Sequence, residues 1–248
     1  MKQIIQNGNN GKISIRDLPS PKCLEDGVLV RTMYSVISAG TEKTSVSTAR
    51  SSLFGKAIKR PDLVNKVIDT ASNIGIRETI DIVKDRLNFP MALGYSLAGE
   101  VIEVGRNVTG ISVGDRVACG GGGYASHAEI NYIPKNLVVK IGENVDYKSA
   151  CYTTVGAIAM QGVRQANATI GETIAVIGLG LIGQLTGQIL KAAGCNVIGI
   201  DVKEFSLNIA SGSSSWSIDY PLMANDKNCL PKISAITNGN GVDKVIVT

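Results

Sequence analysis

Aromatic side chains are scarce in this chain of 248 residues: three Phe, one Trp and seven Tyr amount to 4% of the total. A core must therefore rest on Ile, Val and Leu, which the 44% hydrophobic content supplies. Charge of one sign is also missing. A formal excess of +4 is too small to argue for a nucleic-acid partner, and none is expected. No apolar run reaches the length of a membrane span. The start, Met1 to Gly8, turns polar before a signal-peptide core forms, so no membrane partner is expected. The five cysteines, Cys23, Cys119, Cys151, Cys195 and Cys229, are odd in number, far apart and without a Cys-x-x-Cys pair. That excludes a disulfide framework and fits free thiols in a reducing, cytoplasmic setting. Histidine is nearly absent, with His127 alone. What is abundant is glycine, 28 in all, which points to many turns.

The first 150 residues alternate short strand-like runs with glycine-rich turns: Ile13–Ile15, Val28–Thr32, Ala98–Val104, Arg116–Cys119 and Val138–Ile141. Strands without intervening helices predict a compact β-rich domain over 1–150. One stretch, 43–89, breaks the alternation. Pro61-Asp62 opens a helix-period segment with Leu63, Val64, Val67, Ile68 and Ala71 on one face, and Ile76, Ile80, Val83 and Leu87 carry a second. This insert holds nine Lys and Arg against five Asp and Glu, an excess equal to that of the whole chain. It reads either as a lid offering Lys56, Lys59 and Arg60 to an anionic substrate or as a solvated helical hairpin. Small-residue helices over 151–170 then link to a second domain, 171–248.

That domain opens on the most specific signal in the chain. A short β-branched strand, Ile174–Ile177, runs into Gly178-Leu179-Gly180-Leu181-Ile182-Gly183. A helix-period segment follows with Leu181, Ile182, Leu185, Ile189 and Leu190, and Gly194 ends it. A second strand, Val197–Ile200, stops at Asp201, 23 positions after the first glycine. Each part has a physical task in holding a dinucleotide. Gly178 permits the tight turn, Gly180 lets the backbone approach a pyrophosphate, and Gly183 allows close packing of the helix. The helix start, at Leu181 and Ile182, offers unpaired N–H groups to phosphate. Asp201 accepts hydrogen bonds from ribose hydroxyls and repels a 2′-phosphate, which predicts NAD over NADP; Lys203 nearby softens that repulsion.

Ser38-Ala39-Gly40-Thr41-Glu42, Gly94-Tyr95-Ser96-Leu97-Ala98-Gly99-Glu100-Val101, Val104-Gly105 with Val113-Gly114-Asp115-Arg116-Val117, and the dinucleotide turn recur in an ordered set. On these stretches the chain resembles the medium-chain dehydrogenase/reductase superfamily along nearly its whole length. The resemblance implies an α/β plus β fold, in which a GroES-like β-rich domain precedes a Rossmann domain with a doubly wound parallel sheet. The insert and the Ala-Gly-Thr-Glu variant look most like the N-terminal module of bi-domain oxidoreductases. The chain's last run, Lys244–Thr248, reads as the fourth Rossmann strand. The expectation is therefore an incomplete sheet, with a downstream C-terminal domain or a homo-oligomeric partner.

Departures from the family pattern are informative. Its zinc members carry Cys and His-Glu where this chain has Ala39 and Tyr95-Ser96, and the third ligand falls near Thr153 or Cys151. An alanine methyl cannot coordinate, and a neutral phenol is a poor ligand. The family's structural four-cysteine loop is reduced to Cys119. The expectation is no zinc, with Tyr95, Thr41 and Ser96 standing where metal and relay would be. Tyr95 would donate to a substrate oxygen and Thr41 pass the proton, while Glu42 anchors its loop and His127 serves as a strand edge. The implied activity is hydride transfer to or from a carbonyl or hydroxyl of a small polar, sugar-like substrate. A quinone or alkene reductase, and a non-catalytic NAD-binding module of a larger fused protein, are the alternatives.

Overall fold

The computed structural model describes residues 1–50, 72, 75, 78, 79, 90–212 and 218–248. The helix-period segment read at 61–71, the one at 76–87 apart from Glu78 and Thr79, and Lys56, Lys59 and Arg60 lie outside the described residues. The chain divides into two units, Met1–Thr154 and Val155–Thr248.

Among the described residues the first unit holds eight strands: β1 (Lys2–Asn7), β2 (Ile13–Asp17), β3 (Gly27–Ser35), β4 (Pro90–Ala92), β5 (Ser96–Val104), β6 (Arg116–Gly120), β7 (Ile130–Pro134) and β8 (Val138–Lys140). Five form an antiparallel sheet in the order β7-β3-β5-β6-β8, and three form a second, β2-β1-β4. Val28 and Val30 from β3 meet Leu97 and Val101 from β5, with Val117, Cys119 and Ile133 completing a core of small aliphatic groups. The close approach of β5 to β3 requires glycine at one point, since a Cβ on Gly99 would stand 2.1 Å from the Arg31 carbonyl oxygen. Three strands escape the sequence patterning. In β1 the fully buried side chain is the polar Gln6. β4 has three residues, and β7 carries Asn131 and Pro134, which argue against a strand on propensity. Among the described residues this unit includes the helices α1 (Ala39–Arg50) and α2 (Tyr147–Ala150). Thus helix begins at Ala39, ahead of the expected insert. A third helix, α3 (Thr153–Gln165), contains the division between the units.

The second unit alternates strand and helix: β9 (Thr173–Ile177), α4 (Leu181–Ala192), β10 (Asn196–Asp201), α5 (Glu204–Ala210), β11 (Tyr220–Met223), α6 (Cys229–Ile236) and β12 (Lys244–Val247). Its four strands are parallel in the order β11-β10-β9-β12. Counting from β9 this is 3-2-1-4, the arrangement that opens a crevice between the first and fourth strands of a doubly wound sheet. Ile174, Val176, Leu179, Leu190 and Val197 form its core. The buried face of α4 is Gly183, Thr186, Gly187 and Leu190, at helical spacing. The larger Leu181, Ile182 and Leu185, expected to face the core, are only half-buried. Small residues govern this contact because a Cβ on Gly187 would come within 2.8 Å of Ile218. At its end Gly194 turns left-handed (φ 82°), with Gly194 N–H on Lys191 O and Cys195 N–H on Leu190 O. That Schellman cap closes the helix and aims the chain into β10.

Candidate cofactor turn and candidate catalytic cluster

Between β9 and α4 the backbone reverses at Gly178, whose φ of 92° is costly for any other residue. Gly180 has ordinary dihedrals, and its missing side chain faces open space. At Gly183 a Cβ would sit 1.9 Å from the Gly178 carbonyl oxygen, so this glycine lets the helix close on the turn itself. No side chain caps the first turn of α4. Its leading N–H groups, at Leu181 and Ile182, are what an anion would find there.

Asp201 ends β10 beside this turn. Its Oδ2 accepts from Leu179 N–H at 2.7 Å, and its Oδ1 accepts from Lys203 N–H at 2.8 Å. An ionised carboxylate has about four acceptor positions, so each oxygen keeps one for a hydroxyl. Two expected contacts change character. Leu179 is a core side chain, 2% exposed, and its N–H is committed to Asp201. Lys203 contributes its backbone N–H, while its side chain is exposed. Gln184, which the sequence reading overlooked, donates to Leu179 O and Ser206 O and so ties the turn to α5.

In the β-rich unit the residues expected to do chemistry take different partners. Ser96 is 1% exposed, and its hydroxyl donates to the Cys151 carbonyl at 2.6 Å. It pins β5 to the chain ahead of α3, which removes it from the set of proton carriers. Thr41 lies exposed in the first turn of α1, its Oγ1 accepting from Ser38 Oγ at 3.1 Å. Tyr95 is half-buried in the bend before β5, with its carbonyl accepting from Gly121 N–H.

Glu42 anchors its loop through the backbone, as expected: Oε1 accepts from Ser38 N–H at 3.0 Å. The same oxygen also meets His127 Nε2 at 3.2 Å, and His127 Nδ1 meets Ser35 Oγ at 2.8 Å. His127 is therefore more than a strand edge. It is a buried member of a hydrogen-bonded cluster joining three segments. Its turn is fixed by Asn131, whose Oδ1 accepts from Ser126 and whose amide donates to Thr32 Oγ1, Ser126 O and Ala128 O. One local signal points to this cluster, a lone histidine between small residues, and it carries no distance information. Burial pushes the neighbouring sheet's Cys119 thiol up to about 12, which makes it an inert core group. Among the described residues no three His, Cys, Asp or Glu side chains gather as a metal site.

The chain thus places an antiparallel β-rich unit ahead of a parallel sheet whose glycine turn and strand-end acid have the form of a dinucleotide-binding unit. Residues 67–158 match the family described as "Alcohol dehydrogenase GroES-like domain". The chain is 34% identical over 157 residues to D-guloside 3-dehydrogenase of Escherichia coli (strain K12), covering 63% of this chain and 44% of that one. It is 30% identical over 195 residues to an NAD-dependent alcohol dehydrogenase of Sulfurisphaera tokodaii, covering 66% and 55%. The fold is similar to that of a quinone oxidoreductase from Coxiella burnetii, with a TM-score of 0.71, 22% identity and 99% and 68% of the two chains covered. These matches support the likeness to the medium-chain dehydrogenase/reductase superfamily. It spans about half the length of the curated relatives it matches.

Proposed function

We propose that this chain carries the NAD-binding and catalytic residues of a zinc-independent oxidoreductase acting on a hydroxyl or carbonyl of a small, sugar-like substrate. The carrying observation is Asp201: both carboxylate oxygens are oriented by backbone N–H groups beside the open space at Gly180. That arrangement suits two ribose hydroxyls on the acid and a pyrophosphate over Gly180 and the start of α4. The carboxylate disfavours a 2′-phosphate, which supports NAD over NADP and weighs against a quinone or alkene reductase. A relative named D-guloside 3-dehydrogenase supports the sugar-like substrate.

When bound, NAD supplies or accepts the hydride. Tyr95 O–H gives its proton to the carbonyl oxygen during reduction, and the solvent-exposed Thr41 hydroxyl relays a water proton to the phenolate, giving up its own as it takes one from water; oxidation runs these transfers backwards. Ala39 and Tyr95 stand where the family's zinc ligands fall, and a methyl and a neutral phenol do not make a zinc site.

Two measurements test this reading. NADH titrated against the protein by fluorescence should bind at least about tenfold tighter than NADPH, equivalent to about 1.4 kcal/mol; equal binding would remove the role given to Asp201. With a glycoside and polyol panel, Tyr95→Phe should lower turnover about 10²-fold or more. Unchanged turnover would leave Tyr95 as a packing residue. Failure of the whole panel, with NADH bound tightly, would favour a non-catalytic NAD-binding module.

A further inference from the structure

We propose that His127 is the positioning residue of the candidate catalytic cluster: held in one tautomer, it locks the turn bearing Thr41 to the turn bearing Tyr95. The proposal rests on the reading of Thr41 and Tyr95 given above, but the lock itself stands on geometry.

On the Tyr95 side, His127 N–H donates to Leu93 O at 2.7 Å. Its ring lies against Gly94, where a Cβ would fall 2.9 Å from both Cε1 and Nδ1. Gly94 also has a φ of 93°. The bend that delivers Tyr95 is thus moulded on the imidazole, and no other residue fits at 94 while His127 holds its place. On the Thr41 side the chain of contacts runs from His127 Nε2 to Glu42 Oε1, from Glu42 Oε1 to Ser38 N, and from Ser38 Oγ to Thr41 Oγ1, at 3.2, 3.0 and 3.1 Å. Every link is within hydrogen-bond range.

The protons can be assigned. An ionised carboxylate accepts only, so Nε2 must carry hydrogen. In the neutral ring Nδ1 is then an acceptor, and the Ser35 hydroxyl donates to it. Without the Nε2 hydrogen, Glu42 would be a half-buried carboxylate whose donor among the described residues is the Ser38 N–H. An apolar side chain at 127 would fill the same volume and leave that carboxylate short of a donor. The tautomer is therefore set by Glu42 at one nitrogen and Ser35 at the other, while Asn131 fixes the turn that presents the ring.

Because the chain has a single histidine, the lock can be read without ambiguity. Histidine-15N-labelled protein is examined by long-range 1H–15N NMR at alkaline pH. The expected spectrum is one Nε2–H tautomer with a slowly exchanging Nε2 proton, altered in Glu42→Gln. A rapidly averaging pair of tautomers, or Nδ1–H, would overturn the proposal. Two variants then test positioning. His127→Gln keeps an N–H donor toward Glu42, whereas His127→Leu does not. With the NAD-loaded protein, His127→Leu should lower kcat about 10-fold to 10²-fold, the cost of small misplacements of reacting groups. KM for NAD should be unchanged, and His127→Gln should recover to within about threefold of the parent. Equal loss in both variants, or loss in neither, would also overturn it. Should the parent show no dehydrogenase activity, the NMR arm still decides the lock, and only the functional reading falls.

Discussion

A single methyl group separates the tasks of the glycines in the Gly178–Gly183 turn. Gly180 has ordinary dihedrals and faces open space, so Gly180→Ala should fold normally, with a melting temperature within about 2 °C of the parent. Its methyl would occupy the side from which a pyrophosphate approaches, and NADH affinity should fall at least about tenfold. Gly183→Ala has the opposite signature. Alanine gains about 1 kcal/mol of helix propensity over glycine, but its Cβ would stand 1.9 Å from the Gly178 carbonyl oxygen. Forcing that turn open costs about 1–3 kcal/mol or more, so the clash wins and the melting temperature should drop by roughly 5 °C or more. Thermal melts paired with NADH titrations separate the two outcomes. A Gly180→Ala protein that binds NADH like the parent would show that the dinucleotide does not lie over this turn.

Elements in the second unit are tied by an ion pair as well as by strand pairing. Lys244, at the start of β12, donates to both oxygens of Glu172, just ahead of β9, and to Asn167 O. Glu172 also accepts from Thr169 N–H. The lysine contact first, and the backbone N–H second, hold this carboxyl below the ordinary glutamate range. A depressed carboxyl contributes stability that is present above its unfolded pKa, about 4.3, and lost as pH falls through its folded value. Glu172→Gln should therefore melt lower than the parent at pH 7, with the difference shrinking as the pH is taken below about 4. Melts across that range check it, and a pH-independent difference would assign the effect to packing. The β9–α4–β10 segment was legible because its periodicity switches from two to 3.6 at a glycine turn, so one reading satisfied every residue. β1 and β7 were not, because what buries Gln6 and Asn131 is a neighbouring segment's polar groups rather than an apolar alternation. α1 was hidden similarly: Ala39-Gly40-Thr41-Glu42-Lys43-Thr44 has no apolar stripe, and its start is set by Glu42 reaching back to Ser38. The cluster at His127 lay beyond any local pattern, since its partners are 85 and 92 positions away.

Across the whole molecule each unit has its own aliphatic core, one in the antiparallel sheets and one around the parallel sheet. Among the described residues, what the chain offers a metal is thin. His127 and Glu42 are one nitrogen and one carboxylate bound to each other, and a zinc ion needs three or four such donors around one point. Zinc in this fold would polarise a substrate oxygen; on the function proposed above, that task would pass to hydrogen-bond donors, which need exact placement more than charge. Two consequences can be measured together. Metal analysis of the purified protein should find well under one zinc per chain, and prolonged chelation should leave both the melting temperature and the NAD-dependent turnover unchanged. A single tightly held zinc whose removal lowers turnover would demonstrate a metal-polarised reaction with donors other than Ala39, Tyr95 and Ser96. Tyr95→Phe would then lose its expected penalty, so the chelation result and the tyrosine result must agree if one mechanism governs the site.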